Sequence, residues 1–177
     1  LSLPVALRRA RRAAAPSLSA PAAEPEEPAD PAGRVAALAA RRATLRFLWS
    51  ADADGRIATL SPEWMHLVGC PPEAVGASPA ELAHLIACQT GPDAPPLAHL
   101  LRSATTWGPR ALRWRIAGTD LGVAVELSGL PVHGRDGAFA GQRGFGLARL
   151  RDVTPVDWPA PAERSAAAAA GQVGEGE

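Results

Sequence analysis

Lysine is absent from this chain of 177 residues: all 18 basic side chains are arginine, matched by 18 acidic ones for a formal net charge of zero. Without an excess of either sign, the composition provides no global attraction to nucleic acid or to an anionic membrane. The all-arginine usage, with alanine and proline crowded at both ends, reads as a GC-rich coding bias. Cysteine is nearly absent. Cys70 and Cys88 are too few for a disulfide framework and fit no metal-ligand spacing. Two reduced, partly buried thiols are expected. No apolar run approaches the roughly 18 residues of a membrane span. Leu1–Ala15 holds Arg8-Arg9 and Arg11-Arg12 but lacks the apolar core and cleavage site of a signal peptide. A cytoplasmic location is therefore expected. The chain does not begin with methionine, as expected of a piece of a longer protein or a processed one.

What is present has the size of one domain with tails. Residues 1–33 form a tail, first basic, then rich in Pro and Ala with Glu24, Glu26, Glu27 and Asp30. Such a segment buries too little apolar surface to offset its ordering entropy. Arg34–Arg42, with Val35, Leu38 and Ala39, reads as a lead-in helix. Leu45, Phe47, Trp49 and Ala51 alternate with Arg46 and Ser50, the period of a half-buried strand. Asp52-Ala53-Asp54-Gly55 is a turn, and Arg56–Leu60 is the partner strand. Ser61-Pro62 opens a helix with Trp64, Leu67 and Val68 inward, and Gly69 ends it. A short helical turn covers Pro72–Val75. Ser78-Pro79-Ala80-Glu81 is a capping-box signature, predicting a helix with Leu82, Leu85 and Ile86 inward. After a loop over Gly91–Pro96, the spacing of Leu97, Leu100, Leu101 and Ala104 predicts the last helix.

Leu112, Trp114 and Ile116 mark a third strand. Leu121–Val132 and Phe139–Leu150 form a hairpin around Gly134-Arg135-Asp136-Gly137. Val123, Val125 and Leu127 face inward. The apolar positions change phase after Gly129 to Leu130 and Val132, predicting a bulge there. Glu126 is placed to pair across strands with Arg113, Arg115 or Arg143. The order of elements predicts an antiparallel sheet with helices gathered on one face. Residues 153–177, broken by Pro and then rich in Ala and Gly, read as a second disordered tail, with part of a helix at Ala166–Ala170.

The motifs resemble those of PAS domains over residues 42–152. Trp49-Ser-Ala-Asp52-Ala-Asp54-Gly55-Arg56-Ile57 resembles the PAS opening. Ser61-Pro62-Glu63-Trp64-Met65-His66-Leu67-Val68-Gly69 resembles the first PAS helix, and Pro72-Glu73-Ala74-Val75-Gly76 the turn after it. Val125-Glu126-Leu127-Ser128-Gly129-Leu130-Pro131-Val132 and Gly141-Gln142-Arg143-Gly144-Phe145-Gly146 resemble the last two strands, and look most like PAS segments of alphaproteobacterial sensor histidine kinases. The resemblance implies an α+β PAS fold at 45–152, a five-stranded antiparallel sheet with short helices on one face. It implies a sensory or interaction module of a signal-transduction protein, the input part of a sensor histidine kinase. The alternative is a stand-alone PAS-like dimerisation or localisation module without a ligand.

Within that resemblance, Trp64, Leu101, Trp107 and Trp114 are the ligand-pocket candidates, against plain core packing. Asp152 and Thr154 are the signal-coupling candidates. Asp152-Val153-Thr154 stands about four residues later than the family pattern, and Pro155, Pro159 and Pro161 follow where a signalling helix would run. No catalytic residue is assigned: none of His66, His84, His99 or His133 has a phospho-acceptor context, and no ATP-lid motif is present. No cofactor is expected. Neither cysteine has a flavin-adduct setting, and His99 lies beside the apolar helix face rather than on it, a poor place for a haem ligand. No metal site is assigned, because turn formation accounts for Asp52 and Asp54. The expected partners are kinase domains or a signalling protein, and a second copy through the lead-in helix or the sheet face.

Overall fold

The computed structural model describes residues 28–159 except 90 and 92. The expectations for residues 1–27, and for the end including Ala166–Ala170, lie outside the described residues. Helix α1 spans Pro31–Arg41. It begins ahead of Arg34 because Asp30 caps it, accepting from the Gly33 amide at 2.7 Å, and Pro31 supplies a preset first turn. Val35 is buried, and the Arg34 guanidinium donates to the His66 carbonyl at 2.8 and 3.1 Å.

Strands β1 (Thr44–Asp52) and β2 (Ile57–Leu60) form the first hairpin. Asp52 shapes its turn, its Oδ1 accepting from the amides of Asp54 at 3.0 Å and Arg56 at 2.9 Å. Helix α2 (Pro62–Val68) ends at Gly69, whose φ of 67° is left-handed backbone that a glycine adopts freely. The Ser61 side chain does not cap α2. Its Oγ accepts from the Leu48 amide at 2.8 Å and donates to the Leu48 carbonyl at 3.2 Å, so it extends the β1–β2 pairing instead. A single 3-10 turn follows at Pro72–Ala74.

The predicted helix at Ser78–Ile86 does not form, although its capping contacts do. Glu81 Oε2 accepts from the Ser78 amide at 2.7 Å, and the Glu81 amide donates to Ser78 Oγ at 3.4 Å. Turns then lead into a short strand, β3 (Ile86–Cys88). The open edge of β4 decides this: Ile86, Ala87 and Cys88 pair with Trp114, Arg113 and Leu112, and the Arg115 amide donates to the Leu85 carbonyl at 2.8 Å. Leu82, Leu85 and Ile86 are buried all the same. Helix α3 (Leu97–Leu101) is shorter than its apolar spacing suggests and stops before Ala104. Strands β4 (Trp107–Arg115), β5 (Leu121–His133) and β6 (Phe139–Pro155) complete the fold.

The sheet has six antiparallel strands in the order β2-β1-β6-β5-β4-β3, rather than five. The sixth is β3. With short helices packed on the aromatic face, this is an α+β fold built on one antiparallel sheet. The predicted bulge at Gly129 is absent from β5, where burial alternates without a break from Val123 to Gly129. The irregularity lies opposite, at Gly108-Pro109 in β4, where proline has no amide to give the ladder. Leu130 therefore points outward and is 49% exposed, beside Phe145 and Leu48 on the outer face. Glu126 pairs with none of the three expected arginines. Arg149, diagonal to it on β6, donates to Glu126 Oε1 at 2.6 Å.

Candidate functional site

The inner face of the sheet is arranged so that rings lie across glycines. Trp49, Gly144, Gly129 and Trp107 stand opposite one another along one row through β1, β6, β5 and β4. Phe47 and Gly146 pair in the next inward row. A Cβ at Gly129 would stand about 2.6 Å from the Trp107 ring, and one at Gly146 would overlap the Phe47 ring. The Gly-Phe-Gly segment thus leaves space on the inside and turns Phe145 out, with the Arg46 guanidinium 4.7 Å above its ring. The helix layer closes over this surface. Trp64 from α2 stacks on Phe47 at 4.4 Å with 3° between the planes, and Trp114 meets both rings edge-on at 5.6 and 5.8 Å.

The four pocket candidates therefore do not surround one space. Leu101 and Trp114 line a cavity of about 20 Å³, together with Trp49, Leu82, Ile86 and Leu127. That is room for about one water molecule. Trp64 is sealed within the ring cluster at 0% exposure, and Trp107 packs against Trp49 at 5.7 Å. The cavity lining is wholly apolar. The Nε1 atoms of Trp49, Trp64, Trp107 and Trp114 are buried without a hydrogen-bond partner, and none of them presents polar surface to this cavity. His99 is exposed on α3 and does not line this cavity. Gln142 escaped the sequence reading. It is buried at 1% and its Nε2 donates to the carbonyls of Ser103 and, at 3.1 Å, Thr105, fastening the loop before β4 to the sheet. A lone glutamine at an inward strand position is its only sequence signal.

The coupling candidates lie where β6 leaves its register. Ala124 pairs with Arg149 but Val123 pairs with Val153, so Leu150, Arg151 and Asp152 form an insertion of three residues in β6. Asp152 takes an ion pair from Arg113 at 2.7 Å, and its carbonyl accepts from the same guanidinium group at 3.0 Å. Arg151 donates to the Ala39 carbonyl of α1 at 3.1 Å, and the Leu150 amide to that of Ala43 at 2.9 Å. Thr154 is exposed and pairs with Gly122. The strand runs on through Pro155, past the expected domain end at Asp152. Val156 and Trp158 then both donate to the Asp120 carbonyl at 2.9 Å. Trp158, which the sequence reading left in the tail, lies under the Arg115 guanidinium at 5.8 Å.

Both cysteines are free, Cys70 half-buried and Cys88 the more exposed, and burial raises the Cys88 thiol as well, against the nearby Arg110 guanidinium, which lowers it. Burial pushes the Cys70 thiol up from 9.0 to about 12. At neutral pH it is held as the unreactive thiol. Alkylation at pH 7.5, followed by peptide mass mapping, is expected to label Cys88 first and leave Cys70 unmodified while the fold persists. Because the folded-state value is raised, the stability held by the buried thiol is complete below pH 9 and is lost as pH rises towards 12. Cys70→Ala is expected to remove that alkaline dependence from chemical denaturation curves.

The chain resembles one segment of a known group of signalling proteins. It is 40% identical over 105 residues to the cell-division control histidine kinase PdhS of Brucella anthropi, covering 59% of this chain and 10% of the relative. The PdhS proteins of Brucella melitensis and Brucella abortus are 39% and 36% identical over 106 and 105 residues, with the same coverage. The chain thus spans about a tenth of the length of the curated relatives it matches. A solved domain of a histidine kinase from Haloarcula marismortui, described as light and redox sensing, aligns at a TM-score of 0.42 and 16% identity, covering 64% of this chain and 97% of that one. No family model matches the chain. Among the described residues, no helix is long and apolar enough to cross a membrane.

Proposed function

We propose that this chain is a PAS-type input module of a sensor histidine kinase, acting by docking and by transmitting strain rather than by chemistry. The observation that carries this reading is the 40% identity over 105 residues to a segment of the PdhS kinases. The arrangement around β6 supports the transmission half. Its insertion joins α1 through Arg151 and β4 through the Arg113–Asp152 pair, so a shift of the sheet is felt where the chain enters and leaves the fold. Asp152 and Thr154 are the coupling residues in this reading. The location is cytoplasmic, and the kinase domains or their partners receive the signal.

The near-filled aromatic face favours a module that works without a resident cofactor. A ligand larger than about one water would have to open the cavity beside Leu101 and Trp114. The second reading, a stand-alone docking module, draws on the same fact and on Leu48, Leu130 and Phe145, which are 65%, 49% and 37% exposed on the outer face of the sheet. Sequencing the coding region downstream of Glu177 separates the two. A phospho-acceptor helix and an ATPase domain in frame are expected, and a stop codon in their place would leave the docking module as the better account. Native mass spectrometry of the purified chain is expected to give the mass of the polypeptide alone. A retained small molecule would overturn the ligand-free reading.

A further inference from the structure

The outward side of the sheet is covered at one end and bare at the other. At the β4–β5 end the chain folds back over it after β6. Val156 and Trp158 lie across Gly122, where a Cβ would stand 3.1 and 3.0 Å from them. Arg115 is opposite Gly122 in β4, and Arg113 stands beside it. Asp152, just ahead of these residues, meets Arg113 at 2.7 Å, and the Trp158 ring lies under the Arg115 guanidinium. The occupant of this end is thus a segment that brings a carboxylate to an arginine and lays apolar side chains on the sheet beside it.

The bare end repeats that arrangement without its carboxylate. Leu48 and Phe145 are opposite one another in β1 and β6, and Leu130 stands opposite Arg143 in the next outward row. Leu48 to Leu130 is two strand spacings across and two residues along, about 12 Å. That is about two turns of α-helix. Arg143 and Arg46 flank this diagonal on its two sides, Arg46 lying over the Phe145 ring. Among the described residues neither arginine has an ion pair. The apolar stripe therefore faces solvent between two uncompensated cations. A second copy would bring the same face and no free carboxylate from it, because Glu126 is held by Arg149 at 2.6 Å. The complement of this surface is apolar along one line and acidic on both sides of it.

We propose, resting on the docking role given to this chain, that the Leu48–Phe145–Leu130 stripe seats an acidic amphipathic helix of another protein. Aliphatic side chains at i, i+4 and i+7 of that helix meet the three apolar residues. Asp or Glu on its flanks reach the guanidinium groups of Arg46 and Arg143. The apolar contact holds the helix, and the two arginines select it against neutral or basic helices.

Two synthetic helical peptides of about five turns, titrated into the full chain and followed by NMR, test this. Both carry leucine at i, i+4, i+7 and i+11. One has glutamate on both flanks of that stripe and the other lysine. The glutamate peptide is expected to move the amide resonances of Leu48, Leu130 and Phe145. It is expected to bind at least about tenfold more tightly than the lysine peptide, as two exposed charge contacts made rather than opposed would give. Leu48→Gln, at a position 65% exposed where folding is little affected, is expected to weaken that binding about tenfold. Arg46→Gln together with Arg143→Gln is expected to erase the preference for glutamate. Equal binding of the two peptides at the stripe would overturn the acidic partner and leave the docking role standing. Resonances of the stripe that move with protein concentration alone would overturn it in favour of a second copy. Glutamate-peptide binding that survives Leu48→Gln would overturn it by placing the contact elsewhere. No response of the stripe to either peptide or to protein concentration would overturn both the proposal and the docking role.

Discussion

Gly144→Ala is expected to destabilise the fold by about 3 kcal/mol or more, a large part of the roughly 5–15 kcal/mol that holds a typical domain together. A Cβ at this position would overlap the Ser128 carbonyl oxygen and stand 3.0 Å from the Trp49 ring. The first obstacle is backbone of the neighbouring strand, which no rotamer change can move. Relief requires β5 and β6 to separate in the middle of their pairing, where Gly144 stands opposite Gly129. Gly108→Ala is the control. A Cβ there meets nothing within 4 Å, and its effect is expected to stay within about 0.5 kcal/mol. Urea denaturation of the two variants beside the parent checks both values. Equal midpoints would show that the close approach of β5 to Gly144 does not constrain the sheet.

Trp64→Ala carries the second large effect. Trp64 is 0% exposed, stacked on Phe47 and met edge-on by Trp114. Removing it deletes the largest side chain in the helix layer and leaves a void that strand and helix cannot both close. A loss of about 3–5 kcal/mol is expected, with a melting temperature lower by roughly 10–20 °C for a domain of this size. A cycle with Phe47→Ala separates the stacked contact from burial. The two changes together are expected to cost about 1 kcal/mol less than their sum. Strict additivity would mean that the rings contribute only their buried area. Trp107→Ala removes the Trp49 contact instead and leaves the Trp64 stack intact.

The parts that could be read in the sequence were those governed by local chemistry. The Asp52–Gly55 turn, the end of α2 at Gly69 and the inward set Phe47, Trp49 and Ala51 follow from side-chain hydrogen bonding, backbone freedom and period-two burial. Leu82, Leu85 and Ile86 were legible as buried, because burial follows hydrophobicity whichever element carries it. Their conformation was not legible. A capping box promises a helix only when no strand edge nearby offers more hydrogen bonds, and the edge of β4 does. The same limit applied at Gly129. Its change of apolar phase records an exposed patch with Leu130, not a bulge, and the glycine is there because Trp107 lies over it. The pocket candidates were residues of the right size on the right face. Their division between a ring cluster and a 20 Å³ cavity depends on how Phe47 and Trp49 lean across β6.

By itself the sequence determined the class of fold and its antiparallel hairpins, because periodicity, turn chemistry and residue identity act over a few neighbours. Only the tertiary structure decided the sixth strand, the partners of Glu126 and Asp152 and the anchoring of Trp158 on Asp120. Each of these joins residues far apart in the chain. Whether a distant edge, charge or ring is there to meet them depends on the register of strands and on packing volume, and neither is written in local spacing.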